Sequence, residues 1–214
     1  MDARTKVEPE PRRRGRPAES DGLTGERILI AARVCFAESG YAGASTHMVA
    51  ARVGLTTGAL YHHFASKRDL YLAVFAEVEQ LMIERFEKAA APHTRFVDKL
   101  DAILDEILRL SRDEPTVTGF LQSLTADVGR HPELLEAIVP AFEQRDQMFS
   151  GLVEAGITSG ELVEADREIV LDTVTTILVG LFAMNLGQLP SVQQHAVDGY
   201  KRLLRGALLK TKKR

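Results

Sequence analysis

Ser45-Thr46-His47-Met48-Val49-Ala50-Ala51-Arg52-Val53-Gly54-Leu55-Thr56-Thr57-Gly58-Ala59-Leu60-Tyr61-His62-His63-Phe64 is the stretch whose reading decides the fold. Ser45 supplies an N-cap hydroxyl for a short helix that Gly54 ends, because glycine tolerates the left-handed backbone of a helix stop. Leu55 anchors the turn. Thr56 then caps a second helix of about two turns, in which Leu60 and Phe64 stand four residues apart on one apolar side. Two short helices joined by a tight turn form a helix-turn-helix. In the second helix, Gly58 and Ala59 permit close approach to a groove floor, while Thr57, Tyr61 and His62 can donate hydrogen bonds to bases or phosphates. Thr56 can cap its helix and still face a phosphate.

The charge distribution agrees with that use. The net charge of −3 is an average over two unlike parts. Residues 1–68 carry 11 Lys+Arg against 7 Asp+Glu, and the remainder carries 16 against 23. No acidic residue lies between Ser39 and Arg68. A surface that rests on phosphates cannot hold carboxylates without repelling them.

Outward from this stretch the pattern is helical throughout, and an all-α fold is expected. Residues 1–22 are rich in Pro, Arg, Glu and Gly and read as a disordered basic arm. Residues 23–68 form the helix-turn-helix unit, opened by a helix with Ile28, Ala31, Ala32, Cys35 and Phe36 at helical spacing and stopped at Gly40. Residues 69–214 form a larger helical body. Ser66 caps a long helix that closes near Pro92, Pro115 and Pro132 open two others, and Pro140 divides the second of these. A Gly-containing turn near 156–160 precedes two last helices, about 166–187 and 191–209.

A specific family resemblance follows. Phe36-Ala37-Glu38-Ser39-Gly40-Tyr41, then Ser45, Val49-Ala50, the run from Gly54 to Phe64, and Ser66-Lys67 closely resemble the N-terminal signature of TetR-family regulators. The resemblance implies that Ser45, Tyr61, His62 and Lys67 contact phosphates and that Thr57 and Gly58 face base edges. It also implies a dimer on a palindromic double-stranded DNA operator, released by a small-molecule effector. Thr46, where the family has an apolar residue, and Thr57, where it has a basic or polar one, depart from the pattern. So little direct base readout predicts a share for DNA shape and bridging water. Tyr61 also fits a core position, and Lys67 a plain solvated charge.

In the arm, Arg-Gly-Arg-Pro (residues 14–17) resembles the core of an AT-hook. Arg14 and Arg16 would enter an A·T minor groove, or the arm is only a basic tail. In the body, the segment around 166–187 is apolar on nearly every side and must bury two faces, one against the body and one against a partner. The last helix offers Ala196, Tyr200, Leu203, Leu204, Ala207 and Leu208 at helical spacing, and a four-helix homodimer bundle is expected. Phe120, Leu121, Leu124, Met148, Phe149, Phe182 and Asn185 are the candidate lining of a mainly apolar effector pocket, although core packing explains each as well.

Other function classes find little support. There is no phosphate-binding Gly loop, no His-Glu metal spacing and no Cys–His nucleophile set, so no catalytic residue, metal ligand or cofactor is assigned. His62 and His63 are adjacent and point about 100° apart on a helix, a poor arrangement for one ion. The single cysteine, Cys35, suits a reducing compartment, and no apolar run is long enough to span a membrane. A cytoplasmic repressor is the expectation; an activator or an effector-independent DNA binder of the same fold is the alternative.

Overall fold

The computed structural model describes residues 18–183 and 190–206. The order is α1 (Ala18–Gly43), α2 (Thr46–Val53), α3 (Thr57–His63), α4 (Lys67–Ala90), α5 (Phe96–Asp113), α6 (Pro115–Arg130), α7 (Pro132–Ile138), α8 (Phe142–Thr158), α9 (Arg167–Ala183) and α10 (Pro190–Leu204). No strand occurs among the described residues. A helical head, α1–α3, sits on a helical body, with α4 running from one into the other.

Local chemistry accounts for most of the helix ends. Ser45, Thr56 and Ser66 each accept a hydrogen bond from a backbone N–H three residues on, at Met48, Ala59 and Asp69 respectively. These are the bonds that orphan amides at a helix start require. Ser66 Oγ also donates to Asp69 Oδ2 at 2.8 Å, which closes a reciprocal cap. Gly54 lies at φ 72°, and the Leu55 N–H turns back to the Ala50 carbonyl at 2.9 Å. Pro140 falls in a short 3-10 turn, Val139–Ala141, which separates α7 from α8. A proline there withholds an amide that a continuous helix would use.

Two boundaries differ from the sequence reading, and a third cannot be compared. The first helix begins at Ala18 rather than near Leu23. Residues 18–22 carry no apolar stripe for periodicity to register. Gly156 remains inside α8, and the turn is made by Gly160 alone, at φ 76°. The α9 helix is described to Ala183, and residues 184–189 and 207–214 lie outside the described residues.

The head and body share one hydrophobic core. Ile28, Phe36 and Val49 from the head are almost wholly buried, as are Leu60, Leu70 and Tyr71. The joint between the two parts is built around Asp127 of α6, which is 4% exposed. Its Oδ2 accepts from the Tyr41 backbone N–H at 2.9 Å and from the Tyr71 hydroxyl at 3.1 Å. Gly40 makes this possible. At φ 66° it interrupts α1 so that the Tyr41 amide turns toward α6, and a Cβ there would stand 3.1 Å from Asp127 Oδ1. Burial and the neighbouring carboxylate push the Tyr71 hydroxyl far above the usual phenol range. The ring of Tyr71 meets Phe36, Tyr41 and Phe120 at centroid distances of 4.9, 5.0 and 5.1 Å.

Replacing Asp127 by Ala strands two donors, one of them a buried hydroxyl. The expected loss is about 2–3 kcal/mol of unfolding free energy in urea denaturation, against about 1 kcal/mol for Tyr71→Phe. Equal effects of the two variants would mean that the Tyr41 bond contributes nothing.

Candidate nucleic-acid interface and interior cavity

On the outer side of α2 and α3, Ser45, Thr56, Gly58, Tyr61 and His62 are exposed and Thr57 is half-buried. The structure therefore brings these residues onto one acid-free surface. Tyr61 is 46% exposed, which rules out the core position. Its hydroxyl lies 3.3 Å from that of Thr46, a bond in which either can donate. Thr46 thus serves as a polar strut between the two helices, a role unreadable from its place in the signature. His47 and Met48 are also exposed on this face and were assigned no role from sequence.

Lys67 is not a free surface charge. Its ammonium donates to the Ala42 carbonyl at 3.3 Å and stands 4.6 Å from the centroid of the Tyr41 ring. Burial lowers its pKa, and the attraction of Asp127 opposes that shift. Two other cations near the head are similarly engaged. Arg52 pairs with Glu38 at 3.0 Å, and Arg27 donates to the Val53 carbonyl at 3.3 Å. The outer face is consequently a surface of hydroxyls, imidazole and backbone amides. Such groups position a phosphate backbone by hydrogen bonding rather than by net charge. Arg14 and Arg16 lie outside the described residues. Among the described residues, no three His, Cys, Asp or Glu side chains converge as a metal site would require.

The body holds a cavity of about 280 Å³ between α4, α6, α7, α8 and α9, open to solvent beside Leu135 and Val179. Leu121, Leu124 and Phe182 line it, as the sequence suggests. Phe120, Met148 and Phe149 do not. Phe120 is fully buried on the opposite face of α6, against Phe36 and Tyr71. One residue along a helix is a rotation of about 100°, so Leu121, Leu124 and Val128 face the cavity while Phe120 and Asp127 face the head. Phe149 packs near Phe86 at 6.4 Å between centroids, and Met148 lines a separate recess beside Lys99 and Gly151. Asn185 lies outside the described residues.

Most of the remaining lining was not assigned to a pocket from sequence, including its two charged members, Glu79 of α4 and Arg145 of α8. Glu79 is 3% exposed, and its Oε1 is 3.4 Å from Arg145 Nη1. Burial pushes its carboxyl up to about 7; Arg145 opposes the shift and Asp146 adds to it. A signal was present in the sequence. Phe75, Glu79, Met82 and Phe86 fall on one helical face, so a carboxylate occupies a position that the repeat assigns to the core.

The geometry can now be set against known proteins. Residues 28–74 match the model of bacterial regulatory proteins of the tetR family. Residues 28–74 are a TetR-family DNA-binding domain. Its head is similar to that of the HTH-type transcriptional repressor AcnR of Corynebacterium diphtheriae, at 44% identity over 59 residues. That match spans 28% of this chain and only 31% of AcnR, so the chain covers about a third of that relative's length. A TetR transcriptional regulator from Chloroflexus aurantiacus superposes with a TM-score of 0.73 at 26% identity, over 87% of this chain and 96% of that one. The regulator FadR from Bacillus subtilis, crystallised with stearoyl-CoA, superposes with a TM-score of 0.72 at 21% identity, over 86% of this chain and 99% of that one. The last likeness is one of fold. The TetR-family signature thus falls on α1–α4, and the surface just described is the family's helix-turn-helix.

Glu79 has a measurable consequence in the helical body. A carboxyl raised from 4.5 to about 7 binds a proton more tightly in the folded state than in the unfolded chain. Its contribution to stability is present below pH 4.5 and is lost as the pH rises to about 7. Thermal melts across that window should show the wild type losing melting temperature relative to Glu79→Gln. Parallel curves would place the carboxyl in water.

Proposed function

We propose that this chain is a ligand-responsive transcriptional repressor that binds a palindromic operator as a homodimer and leaves it when a small lipophilic effector fills the body cavity. The acid-free outer face of α2 and α3, with Tyr61 presented to solvent, carries the DNA-binding half. In this reading Ser45, Thr56, Tyr61 and His62 meet phosphates, and Thr57 and Gly58 meet base edges. Lys67 contributes by holding the loop before α2 against Tyr41.

Dimerisation is supported by apolar surface on the last two helices. Leu203 and Leu204 are 53% and 38% exposed, and with Ile177 and Tyr200 they edge a groove between α9 and α10. One short recognition helix reads few base pairs, so a two-fold pair also fits a palindromic site. Effector binding is supported by the cavity, whose walls are largely apolar and come from five helices. Its volume of about 280 Å³ favours a compact molecule over a long acyl thioester of the kind bound by the Bacillus subtilis FadR.

The test is fluorescence anisotropy of the full chain on a palindromic fragment from upstream of its own gene, at low and moderate salt. Gly58 is a sharp probe, because a Cβ there would find no protein atom nearer than Thr56 Oγ1 at 3.9 Å. Gly58→Ala should keep or slightly raise stability, by up to about 1 kcal/mol, while weakening operator binding at least tenfold. Unchanged binding removes Gly58 from the groove floor. No binding by the wild type at low salt would overturn the whole reading.

The basic arm is assigned to the minor groove. A chain lacking residues 1–17 retains α1, which starts at Ala18. It should bind more weakly and lose preference for A·T-rich flanks. Weaker binding with the preference intact would leave Arg14 and Arg16 as general counter-charges.

A further inference from the structure

Glu79 presents an unanswered hydrogen-bond acceptor in the cavity region. Its Oε2 is buried and has no hydrogen-bond partner. Its Oε1 has only the 3.4 Å contact with Arg145, at the outer limit of a useful bond. Arg145 is itself divided. Its Nη2 is 3.8 Å from the exposed carboxylate of Asp146, and its guanidinium lies 4.3 Å over the Phe142 ring. The lining from α6, α7 and α9 brings no charged group; its polar members are Thr125 and Thr175. A buried carboxylate with one oxygen unmatched and one long ion pair is under-compensated.

We propose that the effector is a lipophilic amine, its apolar body in the cavity and its ammonium pairing with the Glu79 carboxylate, whose unmatched oxygen a side-chain rotation turns from the wall toward the ligand. This rests on the reading of the cavity as the effector site. A hydroxyl would satisfy the same oxygen but leave the charge under-compensated, so alcohols of equal size bind more weakly. A carboxylate would meet Glu79 with like charge and would have to draw Arg145 away from it. The ionisation of Glu79 gives the site a pH signature. Its carboxyl titrates near 7, faced by Arg145 and Asp146 of α8 and by no charged lining group of α6, α7 or α9. An alkylammonium keeps its charge across this range, so its affinity rises as Glu79 loses its proton.

The experiment titrates the full chain calorimetrically with octylamine, octan-1-ol and octanoate at pH 6 and pH 8. At pH 8 octylamine should bind at least about tenfold tighter than octanoate and measurably tighter than octan-1-ol. Its affinity should rise by up to about tenfold between pH 6 and pH 8, the change in the ionised fraction of an acid near 7. Glu79→Gln, of nearly the same shape, should abolish both the pH dependence and the preference over octan-1-ol while octan-1-ol still binds. Leu124→Phe, which narrows the cavity, should weaken all three. Octanoate binding as tightly as the amine, or an unchanged order in Glu79→Gln, overturns the amine and leaves the cavity reading standing. Failure of all three probes to bind overturns both.

Discussion

The carboxylate of Asp127 is the contact on which the arrangement of head and body depends. It is buried, it holds the Tyr41 amide at the end of α1, and it holds the Tyr71 hydroxyl on α4. A single side chain on α6 therefore ties together the helix that opens the head and the helix that leaves it. Gly40 is part of the same device, since a residue with a Cβ would resist its positive φ and crowd the carboxylate. Close approach of α1 and α6 is seen again at Gly119, where a Cβ would stand 3.2 Å from the Cβ of Ala37.

The α6 helix contributes one face to this joint and another to the cavity wall. Asp127 and Val128 are neighbours in sequence, one turned to the head and the other to the cavity. Occupation alone changes nothing. DNA is released only by a ligand that binds the non-binding arrangement of the heads more tightly than the binding one.

The head uses its charges sparingly. Arg52, Arg27 and Lys67 are each committed to a partner within the chain, and Arg68 donates to the Glu133 carbonyl of α7 at 3.1 Å. The surface left to meet DNA is neutral and rich in hydrogen-bond donors. The segment before Ala18 carries four arginines between Arg12 and Arg16, and in the proposed function it supplies the counter-charge that this face lacks. Placing the charge on a separate segment divides the labour between positioning and attraction.

The sequence by itself determined what depends on near neighbours in the chain. Ser45, Thr56 and Ser66 start helices because each hydroxyl reaches an amide three residues away, and Gly54 and Pro140 end or divide them through their own backbone restrictions. The apolar spacing of Leu60 with Phe64, and of Phe75 with Met82 and Phe86, showed which faces turn inward, and the missing carboxylates between Ser39 and Arg68 marked the surface proposed to meet phosphates. Only the tertiary structure decided which interior each buried residue joined. Phe120 and Leu121 look alike in a periodic pattern, yet one packs on the head and the other on the cavity, because that choice depends on where α1, α4 and α9 stand. That the ammonium of Lys67 also leans on Tyr41 and Ala42 was likewise visible only in the fold. Glu79 shows the limit most clearly. Its position on a buried face was legible, but whether its charge would be answered depended on Arg145, 66 residues away, and on how far that guanidinium could reach.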